Sequence, residues 1–294
     1  LAIGLIANAI IGPLLLDAIH YHGTDLLRDR FAGTDGVALV LAAPMAAVAA
    51  LFVHRRRPAG PVIAFAPAAF TAHTMAVRVV APDYTGALGN NQWFAPLHLA
   101  LFVLAVVTGV TAWHAIGTAR LAPNLRSADR TRAYVMIAIA VVAATGGWLP
   151  GLLAALHSPP TATSYLAAPT LFWADGLLTV GVVVPGAVAA AIGLRRNTAW
   201  ARAAAYAVIG WSALVPAANG AGLLVARLND RPGAGSAATA AAVVIGVWLF
   251  LLAVLLLRPV LTDLPPALAR MQVRTLDVTS DDEATLDQAV PSGP

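Results

Sequence analysis

The 294-residue chain is 59% hydrophobic and only 11% charged, with a mean hydropathy of +0.77. Soluble domains carry roughly a quarter charged residues, so this chain lacks the polar surface to face water and must be covered largely by lipid. It contains no cysteine, which excludes disulfides, thiolate metal sites and cysteine nucleophiles, and no lysine, which excludes Schiff-base chemistry on a lysine amine.

Crossing a hydrocarbon core of ~30 Å takes about 20 apolar residues in a helix. Backbone polar groups in lipid must be satisfied within their own segment, so the apolar runs read as helices and the fold class as an all-α polytopic transmembrane bundle. Eight stretches qualify, at 1–22, 37–54, 59–80, 94–117, 133–157, 171–194, 203–227 and 237–258. The first has no basic n-region and contains Asp17, so it reads as a retained helix and not a signal peptide. The connection 23–36 places Leu27 and Phe31 on one helical face and predicts a short helix lying on the membrane surface. The connection 158–170 is Pro-rich and uncharged. Residues 1–258 form the transmembrane domain, and 259–294 a cytoplasmic tail whose acidic, small-residue end is expected to be disordered.

All eighteen basic residues are arginines, and their placement sets the orientation. Thirteen fall in one set of loops: Arg55, Arg56, Arg57, Arg120, Arg126, Arg130, Arg132, Arg195, Arg196, Arg202, Arg258, Arg270 and Arg274. The opposite loops hold Arg28, Arg30, Arg227 and Arg231, and Arg78 lies within a span. Positive loops stay in the cytoplasm, so both ends of the sequence are expected there. Tyr21, Trp93, Tyr165 and Trp173 fall near outer boundaries and Trp113, Tyr134, Trp200 and Tyr206 near inner ones, as interfacial rings do. Pro13, Pro150, Pro185 and Pro216 interrupt spans and predict kinks. Spans 1–4 and 5–8 share an Ala/Val bias and no alignable repeat.

Ionisable side chains in hydrocarbon are costly and mark candidate sites. Asp17, His20, His22, His73, Arg78, His98, His157 and Asp175 all map to the extracytoplasmic half, with Asn219 nearer the middle of its span. If these side chains converge, they form one polar chamber opening outward. Imidazole with carboxylate suits a divalent metal, and two imidazoles suit haem iron, which makes His73, His98 and Asp175 the candidate ligands. Asp17, His20, Arg78 and Asn219 are further binding candidates, with Arg78 able to hold an anionic lipid headgroup or to neutralise Asp17 or Asp175. The alternative is that the residues within a turn or two of the boundary are solvated, leaving His73 and Asp175 deep enough to need a partner. No HExxH, Walker loop or GxGxxG occurs, so no catalytic set is assembled and nucleic acid is not an expected partner.

The stretch 32–60, with Gly33, Asp35, Pro44 and Arg55–Arg57, resembles a pattern in uncharacterised bacterial multi-pass membrane proteins. Asn91 with Phe94, and Asp175, Pro185, Arg195, Arg196 and Trp200, are similar to later parts of the same pattern, while Leu97 departs from it. The resemblance implies a multi-pass architecture in a bacterial plasma membrane, gives weight to Asp35, Asn91 and Asp175, and implies no activity. The expected function is a membrane-embedded binding protein for a metal, haem or lipid headgroup. The rivals are an accessory subunit meeting a membrane-protein partner or a second copy, and a small transporter using spans 5–7.

Overall fold

The computed structural model describes residues 1–84, 88–118, 128–232 and 234–262. Among them the secondary structure is helical, without strands. Six helices are long and apolar enough to cross a membrane. The main compact body is Leu1–Leu257; Arg258–Pro294 is a separate unit, of which the last helical turns are described. The expectations for the 120–126 loop and the C-terminal tail lie outside the described residues.

Helix α1 covers Ala2–Ile11 and stops where Gly12 and Pro13 follow. This corrects the expected run to residue 22. Gly12 turns extended at ψ −175° while its amide still bonds the Asn8 carbonyl at 2.8 Å, and proline cannot donate to continue the ladder. Residues 12–24 are non-helical, with Asp17 at φ 45°. Thr24 then caps α2, its hydroxyl accepting from the Leu27 amide at 3.4 Å. Helix α2 runs from Asp25 to His54. The expected surface helix at 23–36 is therefore the first part of a span, and Leu27, Phe31 and Asp35 at i, i+4 spacing face the core.

Both α2 and the later helix α7 (Pro169–Arg195) are wound as α-helix, π-helix and α-helix. The π segments are Ala38–Ala42 and Leu177–Val183, and each is followed at once by a proline, Pro44 or Pro185. A proline ring collides with the carbonyl four residues before it and offers it no hydrogen, and the wider π turn accommodates both problems.

Between them lie α3 (Ala59–Val80), α4 (Ala95–Thr118, entered through one 3₁₀ turn), α5 (Ala128–Ala155) and the short α6 (Thr163–Ala167). After α7 come α8 (Trp200–Leu228) and α9 (Ser236–Thr262). Helices α3 and α8 are the most enclosed and form the centre. Small residues let them approach: a Cβ on Gly210 of α8 would lie 2.7 Å from the Ala66 backbone of α3, and one on Gly33 of α2 only 2.4 Å from the Gly222 amide nitrogen of α8.

The chain order contains a repeat that the residues alone do not display. At one constant spacing, Pro44 corresponds to Pro185, Arg56 to Asn197, Ala59 to Trp200 and Ala95 to Ser236. The first pair are the prolines after the π segments. The second pair are the positive-φ residues, 54° and 56°, of the turns that follow. The last two pairs are helix starts. The unit α2–α4 is thus repeated as α7–α9, which corrects the expectation of no repeat, while α1 and α5 start at positions the spacing does not relate. Side-chain identity has diverged, and the periodicity survives in where helices start, widen and turn.

Gly33→Ala is expected to lower stability by about 1–3 kcal/mol through overpacking against α8. Gly36→Ala, where a Cβ meets nothing within 4 Å, should be neutral or stabilising by roughly 0.5–1 kcal/mol. Thermal unfolding of the two variants in detergent checks the contrast.

Candidate functional site

Helix α3 carries buried polar residues along the half that ends at Val80: Thr71, His73, Thr74 and Arg78. Thr71 and Thr74 bond back to their own helix, donating to the Pro67 and Phe70 carbonyls at 2.7 and 2.9 Å. His73 and Arg78 need partners on other elements, and those partners organise the site.

Arg78 is 1% exposed. Its Nη2 donates to Asp35 Oδ1 at 2.5 Å, its Nη1 to the Tyr21 hydroxyl at 2.5 Å, and the guanidinium lies 5.2 Å from the Phe31 ring centroid. Asn8 Nδ2 donates to the same Asp35 oxygen at 3.1 Å, and the Tyr21 hydroxyl sits 3.3 Å from His98 Nε2. Asn8, Asp35, Arg78, Tyr21 and His98 therefore form one buried chain across α1, α2, α3, the 12–24 segment and α4. A charge this deep is tolerated because its countercharge is in direct contact. The partner of Arg78 is Asp35, neither Asp17 nor Asp175.

His73 lies on a second set. Its Nε2 is 3.3 Å from Asp175 Oδ1, and Trp211 Nε1 donates to its Nδ1 at 3.4 Å. An indole N–H can only donate, so Nδ1 accepts and the neutral imidazole carries its proton on Nε2, facing the carboxylate. Arg30 Nη2 is 3.9 Å from the other Asp175 oxygen.

The two sets meet at a small, half-open recess. Arg30 and Thr34 of α2, His73 and Arg78 of α3, Asp175 of α7 and Asn219 of α8 supply its polar wall. It lies at the end of the bundle away from the arginine turns at 55–57 and 195–196. Arg78 Nε has no hydrogen-bond partner among the described residues.

Of the residues expected to converge, His73, Arg78, Asp175 and Asn219 do so. His98 does not reach His73 and Asp175; it belongs to the Tyr21 chain. Among the described residues no group of three His, Asp or Glu side chains is placed to hold a metal ion, so the His73–His98–Asp175 ligand set is not formed. Asp17 and His20 pair with each other at 3.6 Å with side chains 64% and 50% exposed, away from the recess. Their short segment is pinned elsewhere: Asn90 accepts from the His20 amide at 2.7 Å and donates to the Ala18 carbonyl at 2.9 Å, and Asn91 accepts from the His22 amide at 3.1 Å. Asn91 also donates to the Tyr84 hydroxyl at 3.1 Å; burial raises the pKa of that hydroxyl, and this bond opposes the rise.

Four participants escaped sequence reasoning: Asn8 is a lone amide within an apolar run. Arg30 looks like an outer-loop arginine, Tyr21 like an interfacial ring, and Trp211 like core filler. Only the i, i+4 series Leu27, Phe31, Asp35 carried a usable signal, since it puts an acid on an apolar face and a buried acid calls for a base. At the mouth side, Arg231 ties the start of α2 to the turn after α8 through Asp29 at 2.7 Å and Asp25 at 2.9 Å.

No protein-family model, curated protein or solved structure matches this chain. The chemistry of the recess is the ground on which a function rests.

Breaking the central pair exposes its role. Asp35→Ala leaves Arg78 buried without its countercharge and is expected to cost about 3–5 kcal/mol, while Asp35→Ala combined with Arg78→Met should recover most of that loss. Denaturant unfolding of the single and double variants measures the difference; equal losses in both would show that packing dominates.

Proposed function

We propose that the chain is an eight-crossing protein of a bacterial plasma membrane whose recess binds a small zwitterionic group from the extracytoplasmic side. The eight are the six long apolar helices, α5, and a first crossing in which the ten-residue α1 is completed by the non-helical segment 12–24. The arginine-rich turns at 55–57 and 195–196 favour a cytoplasmic location, which puts the opposite end, with the recess, outside and the C-terminal tail inside. The arginine-only composition and the resemblance to bacterial multi-pass proteins support the membrane named.

The observation that carries the ligand class is the charge balance at the recess. Arg30 and Arg78 are matched by Asp175 and Asp35, and His73 Nδ1 accepts from Trp211. A ligand with net charge would leave an unpaired charge in a low-dielectric site, which is expensive. A ligand with both signs keeps the balance: its anionic end meets Arg30 and the Asn219 amide, and its cationic end meets the Asp175 carboxylate. An amino acid and an ethanolamine-phosphate headgroup share this chemistry. The expected metal and haem ligands are not adopted, because His73 is engaged on both ring nitrogens and His98 lies in a separate chain.

Glycine and glycerophosphoethanolamine, a phosphodiester without net charge, are expected to raise the unfolding temperature of the purified protein, whereas acetate and ammonium separately do not. Charged hydrogen bonds contribute roughly 1.5–3 kcal/mol, so Asp175→Asn and Arg30→Gln should each weaken binding by about 10- to 150-fold. Native mass spectrometry on protein drawn directly from membranes separates the sources: retained phospholipid, lost in Asp175→Asn, indicates a headgroup site. A response to the single ions alone, or to neither, overturns the zwitterion reading.

A further inference from the structure

The correspondence between the repeats extends into the recess itself. At the same spacing that relates the helix starts, Arg30 corresponds to Leu171, Thr34 to Asp175, Thr74 to Val215, Val77 to Ala218 and Arg78 to Asn219. Both members of each of these five pairs line the recess. A cavity lined by equivalent positions of two repeats lies on the pseudo-two-fold axis between them, and because α2 and α7 both run toward the arginine turns that axis runs along the bundle. The pairs are also chemically one-sided. Each ionisable member faces a neutral counterpart, so the walls are similar in shape and different in charge.

Packing follows the same correspondence, although α2 lies closer on α8 than α7 does on α3. Gly33 of α2 touches Gly222 of α8, and the corresponding Ala174 and Ala81 belong to one core cluster on the other side. Toward the arginine turns α3 and α8 close on each other, through buried Phe70 and Leu214 down to the Ala66–Gly210 contact. Ala66 is seven residues before His73, about two helical turns or 10 Å deeper. The helices flanking this closure, α2 and α7, hold π segments and prolines at corresponding places, where helices bend most readily.

We propose that the protein is a carrier: the two repeats rock against each other about this axis, opening the Ala66–Gly210 contact and exposing the recess to the cytoplasmic side in turn. Sites at the interface of repeats and rigid-body movement of one repeat against the other are how secondary transporters work. The inference rests on the reading of the recess as a ligand site and adds that its occupant crosses the membrane. The structure is the outward-facing state, with the recess open at one end and the small-residue contact sealing the other.

The absence of cysteine makes a direct test available, because any introduced thiol reports alone. Thr34→Cys and Asn219→Cys each place a thiol at a half-buried lining position. Gln92→Cys, exposed at the mouth side, reports the sealing of the vesicles. A membrane-impermeant methanethiosulfonate is applied to right-side-out and inside-out vesicles. Exchange predicts that Thr34→Cys and Asn219→Cys are labelled from both sides, the cytoplasmic rate roughly 10- to 1,000-fold below the outer one for a minor state of 0.1–10%. Gln92→Cys should be labelled from the outer side only. If both recess thiols react from the outer side alone, the carrier is overturned and the binding site stands. If neither reacts from either side, the recess is closed to solutes and both readings fall.

Discussion

The Arg78–Asp35 pair is the constraint around which the outer half of the molecule is arranged. An arginine with essentially no exposed surface cannot be hydrated, and every group that compensates it comes from a different part of the chain. Asp35 neutralises it, Tyr21 and the Phe31 carbonyl receive its protons, and the rings of Tyr21 and Phe31 lie against the guanidinium. Meeting these demands draws the 12–24 segment into the bundle, where Ile19 and Tyr21 join a core with Leu27, Val77 and Leu171. The early end of α1 at Gly12 is compatible with this, since a helix continued to residue 22 would carry Tyr21 away from α3. Gly12 also lies against Asp35, where a Cβ would come within 2.6 Å of Oδ2.

From this pair the recess follows. Arg78 backs one wall, buried with its outer guanidinium nitrogens engaged, and the His73–Asp175–Arg30 set forms the other. Trp211 holds His73 in the tautomer that points its proton at Asp175, so the carboxylate is oriented before any ligand arrives. A site whose charges are already matched selects for partners that keep them matched, which is the physical basis for the zwitterion proposal.

The repeat places this asymmetric chemistry inside a symmetric frame. Two units of like fold meet along α3 and α8 through small residues, and the functional residues differ at equivalent positions. Such an arrangement separates tasks: shape comes from what the units share, and specificity from where they diverge. Proline-linked π segments recur in both units because the same geometric problem recurs at Pro44 and Pro185, and so do the positive-φ turns at Arg56 and Asn197.

Hydrophobic run lengths were enough to establish an all-helical chain of membrane composition. The helices at Ala59–Val80 and Trp200–Leu228 lie close to where their apolar runs predict, because length and hydropathy are local properties. The depth of His73 and Asp175 was also legible, since a polar residue far from a span boundary must find a partner. Which partner it finds depends on helix order, and helix order has no local signature. Hence Arg78 pairs with neither Asp17 nor Asp175, His98 joins Tyr21 and not Asp175, and Arg30 and Tyr21 enter the site from segments that read as boundary and loop. The repeat was invisible for a related reason: sequence comparison weighs side-chain identity, which lipid-facing Ala and Val positions randomise. Backbone events at fixed intervals persist because they are imposed by proline, chain reversal and close helix approach, and only the tertiary structure records them together.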